Sequence, residues 1–276
     1  MRQVKHGPKE PKSGEDVTIT AKITDSDGVE YVMLFYQEVD PGGYIELNDS
    51  AYETGWSMVA MNDDGIDGDI EAGDDIYTVV LGGALQVHRR LMRYRISAWD
   101  YTGLETKAPY RYSYENEPVP NFAYYVYDGV PSWSGAARPG ATPVVHYSSE
   151  VLTKVPVYHL ISKASSVEHC QWIDKYGGDS YKWYGTLVYD GKVYDHIRYR
   201  ARGGVWRYAM GKNMWKFDFN RGQSFQARDD YGRKYDTKWD KLNFSACIQQ
   251  GDYQHRGEQG MFEAAGFKMF NLMGVE

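Results

Sequence analysis

The sequence predicts a mixed fold in which an all-β sandwich precedes an α+β region. In the first 110 residues, short segments of alternating apolar and polar residues are separated by Gly- and Asp-rich turns. The remainder also contains strands, but adds segments with helical spacing. A chain of 276 residues is long enough for two domains, each with its own core.

Alternation predicts strands at residues 17–23, 29–37, 55–61, 76–81 and 91–99. Short strands at this spacing favour a β-sandwich of immunoglobulin or fibronectin type, which we assign to residues 1–110. The following segment, 111–150, is rich in Pro, Tyr, Ser and Gly and is predicted to be a linker. Residues 151–276 form the predicted α+β region.

In this region we expect a strand over 155–161, a short helix over 165–176 and a hairpin centred on Asp190-Gly191. A last helix is predicted from about 257 to 273. Its apolar face carries Phe262, Ala265, Met269 and Leu272, and Glu258 lies on the same face.

A strand near residue 215 separates charged from aromatic side chains. Lys216 and Asp218 share one face with Lys212 and Met214, whereas Trp215, Phe217 and Phe219 share the other with Asn213. A strand that packs on one side and offers ammonium groups on the other is typical of an ATP-binding lobe.

Three motifs carry a family resemblance: Arg200-x-Arg202-Gly203-Gly204, Lys212-x-x-Trp215-Lys216-Phe217-x-Phe219, and Lys241-Leu242-Asn243-Phe244. Together they resemble the CotH family, atypical protein kinases first known from bacterial spore coats. The resemblance implies a kinase-like N-lobe over 151–276 that binds ATP and Mg²⁺. It also implies transfer of phosphate to Ser or Thr of extracellular or coat proteins.

The family's catalytic and metal-binding aspartates lie in Asn-Tyr-Asp-like and Trp-Asp-Tyr-Asp-like segments, and neither segment occurs here. We therefore expect a fragment truncated at the C-terminus, not catalytic by itself. The first part resembles the Ig-like modules of bacterial secreted proteins, which implies an extracellular or cell-surface location. The alternative function is a non-catalytic surface, coat or scaffold interaction module.

The resemblance implies nucleotide-binding roles for six residues. Lys216 and Lys212 would bind phosphate, Glu258 would pair with Lys216 in a buried or half-buried ion pair, and Gly203, Gly204 and Arg202 would approach the anion. Each has a structural alternative. Strand lysines are mostly exposed, Glu258 can complement a helix dipole, and a Gly pair can make a tight turn.

The stretch from Asn62 to Asp75 is dense in carboxylates and glycines. Such a loop can converge oxygens on Ca²⁺, and the candidate ligands are Asp63, Asp67, Asp69 and Asp75. The alternative is a solvated hairpin loop in which Asp and Gly serve only turn geometry.

Charge and composition exclude some classes of partner. Residues 1–110 carry 10 basic and 20 acidic side chains, and the whole chain has a net charge of -7. The acidic first part argues against nucleic acid as its partner. No apolar run reaches the roughly 18 residues of a membrane span. We also expect no essential disulfide between Cys170 and Cys247.

Overall fold

The computed structural model describes residues 1–110, 118–136, 144–172, 182–202, 214–229, 231–245 and 260–273. The expectation of a β-rich chain is confirmed, since antiparallel sheets account for most of the regular structure. The strands are β1 Arg2–Gly7, β2 Val17–Lys22, β3 Val29–Val39, β4 Ser57–Met61, β5 Ile76–Leu81, β6 Leu91–Asp100, β7 Glu105–Ala108, β8 Phe122–Tyr125, β9 Trp133–Ala136, β10 Val144–Tyr147, β11 Tyr158–Ile161, β12 Trp183–Tyr189, β13 Lys192–Arg202, β14 Met214–Asp218 and β15 Lys241–Phe244.

In the described residues, four α-helices accompany these strands: α1 Ser50–Thr54, α2 Ser149–Leu152, α3 Ala164–Trp172 and α4 Gly260–Leu272. A 3₁₀ turn spans Gly83–Leu85. The last helix thus lies where the sequence predicts one. Its residues Met269 and Leu272, expected on a packed face, are exposed. No helix in the described part of the chain is both long and apolar enough to cross a membrane.

The first part of the chain forms two facing antiparallel sheets. One has the order β1-β2-β5 and the other β4-β3-β6-β7, with β8 also paired to β6. Alternation in β2 buries Val17, Ile19 and Ala21 against Tyr94 and Ile96 of β6, so the two sheets share one core. Residues Leu91, Arg93 and Arg95 alternate with that set and lie on the outer face of the second sheet.

The second part forms a five-stranded antiparallel sheet with the order β11-β12-β13-β14-β15. The predicted hairpin is present. Asp190 and Gly191 both have positive φ, at 50° and 66°, as the favoured two-residue hairpin turn requires. One face of this sheet is aromatic, with Tyr199 and Phe217 buried together with Cys170 from α3.

The opposite face of the five-stranded sheet packs, at its hairpin end, on the outer face of the second sandwich sheet. Val188 of β12 is buried there with Val39, Leu91 and Tyr125. Strand β8, within the predicted linker 111–150, supplies Tyr125, and β9 and β10 form a separate hairpin in the same segment. The sandwich and the five-stranded sheet therefore share a buried interface.

Candidate functional site

The face of the five-stranded sheet that packs on the sandwich continues past the sandwich at its other end. There it carries a cluster of cationic side chains. In the β13–β14 register, Arg198 lies opposite Asp218, Arg200 opposite Lys216, and Arg202 opposite Met214. Paired residues of antiparallel strands point to the same side, so these side chains share one face. We call Lys182, Arg198, Arg200, Arg202 and Lys216, together with Asp218, the cationic face.

Asp218 is the one carboxylate among these six residues. Its side chain is buried, and Lys182 Nζ lies 2.7 Å from Oδ2. Lys216 Nζ lies 3.8 Å from Oδ1, which is too long for a hydrogen bond. In the described part of the chain, Arg198 and Arg202 have no ion-pair partner, and the buried Nε of Arg198 has no hydrogen-bond partner. Arg198 and Arg202 therefore have N–H donors available for an anion.

A loop of the sandwich forms a wall beside the cationic face. The two enclose a cavity of about 280 Å³ whose lining includes Arg198 and Tyr184 on one side and Glu46 on the other. Lys163 fixes the loop, because its Nζ lies 2.7 Å from Asp49 Oδ1 and 3.7 Å from Glu46 Oε2. Tyr184 is 42% exposed, so an accessible aromatic side chain adjoins the cations.

A β-bulge in β13 positions the inner wall of this cavity. Gly185 and Leu187 of β12 oppose Ile197 and Tyr194, so β13 has one extra residue between these pairs. His196 accommodates the extra residue with a φ of 54°, in the left-handed region where His occurs more often than most side chains. As a result Tyr194 and Ile197 both face the aromatic core, while Asp195 faces the sandwich.

Asp195 forms a fully buried ion pair with Arg93 of the sandwich. Arg93 donates from Nε to Oδ2 at 2.8 Å and from Nη2 to Oδ1 at 3.0 Å, and its side chain is 0% exposed. Thr186 and Asn121 also donate to the same carboxylate. Burial acts to raise the pKa of Asp195, but His196, the Arg93 guanidinium and these hydrogen bonds hold it below its ordinary value. The ion pair joins the two parts of the chain.

His196 extends this polar network to the cavity, which it lines. Its Nε2 lies 3.0 Å from the Tyr52 hydroxyl, 3.1 Å from the Asn121 amide and 3.2 Å from the Asp195 carboxylate. Burial lowers the pKa of His196 to about 4, so the ring is uncharged at neutral pH. The positive charge of the cavity is thus contributed by Arg198.

The predicted nucleotide residues divide into two groups. Lys216 and Arg202 lie on the cationic face as the alternation of β14 and β13 predicts, and the Lys216 side chain is half-buried. Lys212, Gly203, Gly204 and Glu258 lie outside the described residues. The Lys216–Glu258 ion pair therefore stays a prediction, and Asp218 is the carboxylate that the structure places beside Lys216.

Three residues of the site were not predicted. Arg198 had a signal, because Arg198, Arg200 and Arg202 recur at the two-residue period of a strand. Lys182 and Tyr184 had none, since their role depends on how β12 aligns with β13.

Cys170 is buried, and its Sγ accepts the N–H of Ala201. Cys247 lies outside the described residues, so the disulfide expectation stays a prediction.

The acidic loop is folded by hydrogen bonds to its own carboxylates. Asp63 accepts the backbone N–H groups of Gly73, Asp74 and Asp75 at 3.0 to 3.2 Å. Asp69 accepts from Gly65 N–H and from the Thr78 hydroxyl.

Oxygens of Asp63, Asp69 and Asp74 lie within 4.8 Å of one another. The group contains two predicted calcium ligands, Asp63 and Asp69, and it includes Asp74 in place of the predicted Asp67 and Asp75. Calcium binding stays a prediction, and the hydrogen bonds give the loop a structural role in either case.

In comparisons with known proteins, no protein-family model and no curated sequence matches this chain. Function is therefore inferred from the geometry and charge of the site.

Proposed function

We propose that this chain is the nucleotide-binding part of a CotH-like protein kinase, in which the cationic face holds the phosphates of ATP. The observation that carries the proposal is the concentration of cations around one carboxylate, Asp218, on one half-covered sheet face in the described part of the chain. A nucleotide triphosphate with Mg²⁺ has the complementary charge, and phosphoryl transfer depends mainly on positioning and electrostatic stabilisation.

In this proposal the residues have separate roles. The half-buried Lys216 and Arg198 bind phosphate oxygens, and the planar guanidinium of Arg198 suits a bidentate contact. Asp218 orients the ammonium groups of Lys182 and Lys216. Tyr184 offers a flat ring for stacking beside the cavity. Mg²⁺, when bound, neutralises charge that develops on the phosphates.

The transfer reaction also requires catalytic and metal-binding aspartates, which the family carries in segments that this sequence lacks. We therefore propose binding of ATP and Mg²⁺ for this chain, and transfer to Ser or Thr of extracellular or coat proteins where such aspartates are also present.

Titration calorimetry with ATP and Mg²⁺ tests the binding step. We expect Lys216→Met and Arg198→Met each to raise the Kd at least about tenfold, because each removes a charge-assisted hydrogen bond. Lys107→Met is the matched control, since Lys107 is exposed and pairs with the neighbouring Glu105. If the unaltered chain does not bind ATP, or if the Lys216 and Arg198 variants bind as tightly as the control, the proposal fails.

A second candidate is a non-catalytic surface, coat or scaffold module, and one observation favours it. On the outer face of the sandwich, the exposed Tyr31 stacks on the half-buried Trp99 with ring centroids 4.6 Å apart, and Met58 and Tyr101 of the sandwich are also exposed. Exposed apolar patches mark interaction sites. A chain that does not bind ATP, but binds an extracellular or coat protein in a way that Trp99→Ala abolishes, fits this candidate.

A further inference from the structure

A second concentration of positive charge lies at the other end of the five-stranded sheet. A cleft of about 540 Å³ runs between the sandwich and the β12–β13 hairpin. Four lysines line it: Lys5 and Lys9 come from the sandwich, Lys192 from β13 and Lys234 from the loop before β15. This cleft shares none of its lining residues with the cationic face or with the 280 Å³ cavity.

The charge of the cleft is poorly compensated. Asp190 is the one acidic residue in the lining, and it already pairs with Lys9 at 3.2 Å and with Arg228 at 2.7 Å. In the described ranges, Lys5, Lys192 and Lys234 have no ion-pair partner. Burial and the neighbouring Lys238 and Lys234 lower the pKa of Lys192, as expected for a cation among like charges.

Neutral polar groups and rings complete the lining. Gln223 and Gln226 supply amides, and Lys192 Nζ lies 4.5 Å above the ring centre of Tyr194. At the sandwich side, His6 Nδ1 lies 3.1 Å from the Tyr94 hydroxyl, and burial lowers the pKa of His6. The cleft thus combines unpaired cations with neutral hydrogen-bonding groups, and only a ligand of opposite charge complements that combination.

We propose that this cleft is a second binding site, distinct from the cationic face, for a small molecule that carries several negatively charged oxygens. Its volume accommodates a compact ligand with two or more phosphate or carboxylate groups. Lys192, Lys234 and Lys5 donate to those oxygens, and the ligand offsets the repulsion among the lysines.

The test uses inorganic pyrophosphate and citrate as probes, titrated into the full 276-residue chain at low ionic strength. We expect binding that weakens as salt is added. The double variant Lys192→Gln/Lys234→Gln should weaken it at least about tenfold, and Lys5→Gln, on a different strand, should weaken it in the same direction. If pyrophosphate binds and citrate does not, the site recognises phosphate. If both probes bind, the site recognises negative charge of either kind.

Two control variants separate this site from the proposed nucleotide site. Lys107→Gln removes one exposed lysine elsewhere, and Lys216→Gln removes a cation of the cationic face. Lys107→Gln should leave the affinity for the probes within about twofold, and any loss with Lys216→Gln measures probe bound at the cationic face. The proposal is overturned if neither probe binds, or if Lys216→Gln weakens binding while the Lys192/Lys234 double variant does not. Thermal melting of each variant verifies that it is folded.

Discussion

Breaking the ion pair between Arg93 and Asp195 should destabilise the whole chain. Arg93→Met keeps much of the side-chain volume but removes the guanidinium, which is fully buried and also donates to Gln37 and to the backbone of Ile45. Asp195 would keep its donors Thr186 and Asn121 but lose its cation. Removing one partner of such a pair costs about 3–5 kcal/mol, so we expect a loss of that size in the free energy of unfolding.

The assay is urea unfolding followed by tryptophan fluorescence, for which the chain offers 8 Trp. Asp195→Leu should destabilise by a similar amount. The double variant Arg93→Met/Asp195→Leu should recover part of the loss, because no unpaired charge remains buried, with a coupling above about 1 kcal/mol. Lys107→Met, which breaks an exposed pair, should change stability by less than about 1 kcal/mol.

The same experiment tests whether the sandwich and the five-stranded sheet unfold together. The shared network predicts one transition for the unaltered chain. A change of less than about 1 kcal/mol for Arg93→Met, or two separate transitions in the unaltered chain, would refute the reasoning.

Further predictions concern the acidic loop and His196. Asp63→Ala should lower stability by about 1–3 kcal/mol in urea unfolding, because it frees three backbone N–H groups, whereas the control Asp64→Ala should have little effect. If the loop binds Ca²⁺, millimolar Ca²⁺ raises the melting temperature relative to EDTA, and unchanged melting leaves only the turn role. His196 has its pKa lowered from 6.5 to about 4, so the unfolded chain binds the extra proton and stability should fall by about 3 kcal/mol as pH drops from 6.5 to 4. His196→Asn, which tolerates the positive φ, should flatten that slope in pH-dependent unfolding, and an unchanged slope would show that other groups dominate.

The sequence predicts strands well where one face is buried. Alternation in β2 and β14 gives both the strands and the buried faces, and Asp190-Gly191 gives the hairpin turn. Alternation also places Lys216 opposite the aromatic face, which the structure bears out. These features depend on residues close together in the chain.

The features that the sequence leaves unpredicted depend on contacts between distant segments. Alternation in β6 puts Arg93 on the outer face of the sandwich, but only the packing of the five-stranded sheet buries it against Asp195. The bulge at His196 has no Gly or Pro to signal it, and Asn121 belongs to the predicted linker. For the same reason Glu46 of the sandwich is not recognisable in advance as a wall of the cavity beside Arg198.

The most direct test of the proposed function is an experimental structure of this chain with Mg²⁺ and a non-hydrolysable ATP analogue. We expect phosphate oxygens within about 3 Å of the Arg198 guanidinium and the Lys216 ammonium, on the cationic face beside the Glu46 loop. A nucleotide bound elsewhere on the chain, or a cationic face without phosphate at saturating analogue, would contradict it.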